Sequence, residues 1–123
     1  MQYAILCYDS EELVASWTKE QDEAAVAALR AVSNKLAKQG RLGPVARLMP
    51  TTAATTVRKA KEPIVVDGPF AETKEQLLGF FIVECDSLEQ AHEAAKEFAR
   101  ASSSAGAFEV RPLRMLEPGG KPT

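Results

Sequence analysis

Histidine is nearly absent from this chain: His92 stands alone against 17 acidic and 15 basic side chains. With only Cys7 and Cys85 beside it, the usual soft metal ligands do not make a set, so no metal site is expected. The two cysteines fall in strand-like stretches and read as buried, reduced thiols rather than a disulfide. His92 lies beside an apolar helical stripe and reads as a helix-flank residue. No Walker loop and no G-x-G-x-x-G occur, so neither a nucleotide nor another cofactor is expected. Ser102-Ser103-Ser104 lacks the G-x-S-x-G setting of a serine nucleophile.

Charge of one sign is missing too. A formal net charge of -2 leaves no electrostatic footprint for nucleic acid or an anionic membrane. No apolar run approaches the ~20 residues that cross a bilayer. The start, Met1 to Leu6, has no basic segment of a secretory signal, and a cytoplasmic location is the expectation.

What remains is an ordinary globular composition, 46% apolar and 26% charged over 123 residues. That length fits one domain, which buries roughly two-thirds of its unfolded surface without disulfide staples. The domain is expected over residues 1–116, with a flexible Pro/Gly tail at 117–123.

Residues 2–8 are apolar at nearly every position, as in a strand buried on both faces. Residues 10–17 read as a loop or short turn. A helix then opens at Thr18, with Gln21 at the capping-box offset. Val26, Leu29, Val32 and Leu36 form its stripe, and Gly40 ends it. Gly43-Pro44 begins a second strand, and 53–59 and 63–67 read as a small hairpin. The most apolar strand runs from Leu77 to Cys85. A second helix starts at Ser87, with Leu88, Ala91, Ala95 and Phe98 as its buried face, and Phe108 and Val110 mark a last edge strand that reaches Pro112.

The fold class that follows is α+β: a ferredoxin-like βαββαβ chain with an inserted β-hairpin. Its antiparallel sheet would carry two helices on one face, since both crossovers are right-handed. That leaves Phe80 or Phe81, with Ile5 or Leu6, on a bare apolar face. A homodimer joined face to face through that surface, a dimeric α/β barrel, is therefore expected.

Between the hairpin and the apolar strand lies Asp67-Gly68-Pro69-Phe70-Ala71-Glu72-Thr73-Lys74-Glu75-Gln76, an unusual density of chemistry for a turn. In the structural reading Asp67 accepts N–H groups of Phe70 or Ala71, Phe70 plugs the core, and Thr73 with Gln76 caps a helical turn. In the catalytic reading Asp67, Glu72 or Glu75 is a general base and Lys74 stabilises a developing enolate or carboxylate. Tyr8 would orient substrate there, Arg47 and Arg58 would hold an anionic group, and Phe70 would pack on the ligand.

The same segment, continued to Leu77, resembles the signature of the DGPF group of the YCII-related proteins, and Val110-Arg111-Pro112-Leu113 resembles the group's closing strand. The likeness runs from about Met1 to Leu113. It implies a dimeric barrel of ferredoxin-like protomers in bacterial, cytoplasmic proteins mostly without assigned activity. Some of their genes neighbour extracytoplasmic-function sigma factors. The wider family's suspected histidine at the start of the first helix and aspartate after the second have no counterpart here.

The expected function is binding of a small organic acid or lactone-like molecule in a dimer-interface cavity, with cofactor-independent isomerase or lyase activity as its catalytic form. The alternative is a non-catalytic regulatory or accessory module associated with such a sigma factor. A purely structural dimer is the third reading.

Overall fold

The computed structural model describes residues 1–120. The remaining part of the expected tail, 121–123, lies outside the described residues. The elements are β1 (Gln2–Asp9), α1 (Glu11–Ala15), α2 (Lys19–Lys38), β2 (Leu42–Arg47), β3 (Thr55–Val57), β4 (Val65–Asp67), β5 (Gln76–Glu84), α3 (Leu88–Ala101) and β6 (Ala107–Pro112). Four strands form an antiparallel sheet in the order β2-β5-β1-β6, and β3 with β4 makes the separate hairpin. The edge position expected for the last strand is observed.

Local chemistry accounts for the helix starts. Thr18 and Gln21 form a reciprocal capping box, with Thr18 Oγ1 accepting from Gln21 N and Gln21 Oε1 accepting from Thr18 N. At α3, Ser87 Oγ accepts from Gln90 N, but Gln90 reaches past the cap to the N–H of Asp86. The stretch read as a loop contains α1, capped by Ser10 with Glu11 and Glu12 in its first turn.

Both long helices lie on one face. Leu36 of α2 and Ala91, Ala94, Ala95 and Phe98 of α3 share a cluster with Tyr3, Ile5, Phe81 and Val83. Phe81 stacks on Phe98 with ring centroids 4.1 Å apart. Leu88, expected on this face, is instead 48% exposed. It is the first residue of α3, where the stripe has run past the cluster, and Ala94 takes the place it was given.

The alternation of β1 resolves which aromatic faces the helices. Ile5 pairs with Phe81 and points to the core, whereas Leu6 pairs with Phe80 on the opposite face. That opposite face is less bare than expected, because Ala4 and Ile82 are only 7% and 6% exposed within the single chain.

Three expectations for the charged segment fail. Phe70 does not plug the core; it is 75% exposed. Thr73 and Gln76 cap no helix, because Gln76 already enters β5 opposite Asp9, and its amide donates to the Thr73 carbonyl. The turn rests on Gly68, at φ 95°, whose N–H bonds to Ala54 and whose carbonyl accepts from Thr56, not on an Asp67 carboxylate bond to Phe70 or Ala71.

Candidate helix–sheet cavity

Period-two alternation places Tyr3, Ile5, Cys7 and Asp9 on one side of β1, beneath the helices. At the Asp9 end of that row α2 and the sheet diverge, and a cavity of about 230 Å³ opens between them. Val14, Trp17, Val26, Leu29, Val45 and Phe81 line it with apolar surface. Val45 is 49% exposed, so the cavity is open at the β2 edge.

Two glycines make this geometry. A Cβ on Gly79 would overlap the Ala46 carbonyl and come within 3.1 Å of Arg47 Cα, so only glycine lets β2 lie this close. A Cβ on Gly106 would overlap the Tyr8 carbonyl and reach 2.9 Å from Asp9 Cγ. The loop after α3 thus presses on the Asp9 carboxyl from one side.

The polar groups of the cavity differ in their freedom. Asp22 and Arg47 are paired across its mouth, Arg47 Nη2 to Asp22 Oδ1 at 2.7 Å and Nη1 to Oδ2 at 3.3 Å. The Arg47 hydrogen bond holds Asp22 below the usual carboxylate range, and the same contact raises the arginine further. Ser33 is buried and donates its hydroxyl to the Arg30 carbonyl. Burial, with the Asp9 charge added, pushes the Cys7 thiol up to about 11, and Arg47 only partly opposes this. That thiol is neutral and a poor nucleophile near pH 7. Asp9 is 6% exposed; its Oδ1 accepts from Ser10 N at 2.8 Å.

Of the eight candidate site residues read from the sequence, Arg47 alone lines this cavity. Tyr8 projects from the opposite face and donates to Glu109, which also binds Arg111. Burial and the Glu109 charge raise the Tyr8 phenol. Arg58 donates to the Phe70 carbonyl in the hairpin region. Asp67, Glu72, Lys74 and Glu75 are all exposed. Glu72 borders a second, shallower cleft of about 380 Å³ between the charged segment and Thr51-Thr52. Two of its lining residues are tied to Glu11, which accepts from both Thr51 N and Thr51 Oγ1, while Gln76 accepts from Glu11 N.

Asp9, Asp22 and Trp17 were missed as site residues. The signal for Asp9 was present, since it continues the inward-facing row Tyr3, Ile5, Cys7 as a carboxylate at the end of an apolar strand. Trp17 reads as core by composition, and nothing local marks Asp22 as the partner of an arginine on another element.

Among the described residues no helix is long and apolar enough to cross a membrane, and no group of three or more His, Cys, Asp or Glu side chains is placed to hold a metal ion. The chain is 52% identical, over the full length of both, to an uncharacterised protein of Rhizobium meliloti (strain 1021). The model of the YCII-related domain matches residues 1–117, and the chain belongs to that family.

Proposed function

We propose that this protein binds a small, compact and largely apolar organic molecule in the cavity between α2 and the sheet. The carrying observation is the cavity wall: most of its surface is apolar, and its polar groups are individually placed. Binding fits better than catalysis. An isomerase or lyase needs an acid and a base at the reacting atoms. Here the candidates are Asp9, Asp22 already paired with Arg47, a thiol held neutral, Ser33 bonded to a backbone carbonyl, and Ser102 and Ser104 bonded to each other.

Trp17 is the chain's one tryptophan, so its fluorescence reports on the cavity directly. Small ring compounds are expected to raise the melting temperature and shift that emission, as a ligand selective for the native form must. Ala25→Phe, which puts a ring into the cavity from α2, is expected to abolish both responses while the chain stays folded. A broad set of such compounds that moves neither signal sinks the proposal.

The finer fold reading is a ferredoxin-like protomer paired into a dimeric α/β barrel. It is supported by the strand order β2-β5-β1-β6 and by apolar side chains left exposed on and beside the hairpin, among them Val57, Ile64, Val65, Val66 and Phe70. Sedimentation equilibrium at micromolar concentration decides it, a monomer counting against. The organic-acid or lactone reading of Asp67, Glu72, Lys74 and Glu75, with Tyr8, Arg58 and Phe70 as binders, depends on such a partner to cover them. Association with a sigma factor draws on the resemblance alone.

A further inference from the structure

We infer that Asp9 is the anchoring group of the helix–sheet cavity and that the cavity takes a small organic cation, an amine carried on a compact apolar body. The inference rests on the proposed use of this cavity and adds the chemistry of its occupant.

The charge on Asp9 is the starting point. A carboxyl group with so little exposure in an apolar setting is best satisfied by a cation or several donors. Asp9 receives one backbone N–H, from Ser10, and among the described residues it forms no ion pair. Arg47, the cation at the mouth, is engaged with Asp22 instead. Arg30 also borders the cavity but is exposed and makes no bond to Asp9. Among the described residues Oδ2 of Asp9 accepts no hydrogen bond, yet none of their fully buried side-chain oxygens is left without a partner. Oδ2 is therefore reachable from open space.

Its surroundings select the ligand. Gly106 leaves no room for a side chain beside the carboxyl carbon. Trp17 and Phe81 among the walls give the ligand's body an apolar surface to rest on. A carboxylate ligand would face Asp9 directly, with Arg47 already engaged by Asp22 and only the exposed Arg30 at the rim to meet it, so anions are disfavoured. Size follows from volume: a dry apolar cavity of ~150 Å³ accepts benzene. At about 230 Å³ this one holds a ring with a short arm.

The test uses benzylamine, benzyl alcohol and benzoate on the full chain, with affinities from Trp17 fluorescence and calorimetry. Benzylamine is expected to bind about tenfold tighter than benzyl alcohol, the equivalent of one charge-assisted hydrogen bond, with benzoate weakest. Asp9→Asn is expected to erase the amine's advantage while benzyl alcohol still binds. Carbon NMR of the native chain gives a readout that needs no variant: the Asp9 carboxyl signal is expected to move with the amine and not with the alcohol. Equal affinities, a preference for benzoate, a preference that survives Asp9→Asn, or a stationary Asp9 signal each overturn the assignment of Asp9 but leave the cavity as a binding site. Silence towards all three compounds overturns the cavity reading itself.

Discussion

Arg47 on β2 and Asp22 on α2 meet in a two-point contact, at 2.7 and 3.3 Å, that spans the open edge of the helix–sheet cavity. Both side chains keep much of their solvent exposure, so the pair does more to set the mouth's charge than to hold the fold. Asp22→Asn is expected to cost less than ~1 kcal/mol in urea denaturation. Asp22 has its folded pKa lowered, so its contribution is fully present above its unfolded value near ~4 and is lost as pH falls through the folded value. The variant should therefore show a shallower loss of stability below about pH 4 than the parent chain. It should also release Arg47, and so narrow the gap between anionic and neutral ligands.

Cys7 is expected to resist modification. With its thiol near 11, thiol reagents at pH 8 should react slowly with the native chain, and Cys85, buried beneath α3, should be shielded as well. Both should react fully in denaturant. The linkage has the opposite sign to that of Asp22: a raised pKa gives stability that is whole below the unfolded value of 9.0 and is lost as pH rises through about 11. Cys7→Ser should flatten the alkaline limb of the stability profile in that window.

Gly79→Ala and Gly106→Ala each place a methyl group into a neighbouring strand's backbone, which cannot yield as a flexible side chain would. Each is expected to lower stability by roughly 1–3 kcal/mol, the range for overpacking. Ala substitution of Gly40 is a useful contrast. Its Cβ would meet nothing within 4 Å, and the cost there comes from φ 69° alone.

Glu11→Ala removes two hydrogen bonds to Thr51. A loss of ~1–3 kcal/mol is expected for breaking charge-assisted bonds at a part-buried site. The Glu11 N–H also donates to Gln76 Oε1, so α1 and the charged segment are joined at this point. Hydrogen exchange of Thr51 N–H and Gly68 N–H should quicken in the variant, and the core amides of β1 and β5 should not. Unchanged exchange at Thr51 and Gly68 would show that the segment holds its place without this contact.

Much of the fold was legible because its signals are local. The Thr18–Gln21 capping box, the Leu29 to Leu36 stripe and the unbroken Phe80–Val83 run identify their elements by spacing alone. α1 escaped because five residues show little more than one helical turn, too few for periodicity to register. The site was less legible for a different reason. The eye is drawn to Asp67, Glu72, Lys74 and Glu75 because charges crowd there in sequence, yet those side chains stand in solvent on the single chain. The cavity draws instead on residues from β1, α1, α2, β2 and β5, most of them unremarkable where they stand in the sequence.

The amino-acid order by itself determined the strands, the two long helices and that Asp9 faces the same side as Ile5, since capping and alternation act over a few neighbouring residues. Tertiary structure alone decided that β2 would close against Gly79, that Arg47 would take Asp22 as its partner, and that Asp9 would be left buried with no cation paired to it among the described residues. Those outcomes depend on how elements far apart in the chain approach one another, and packing distances of that kind are set by the whole assembled core.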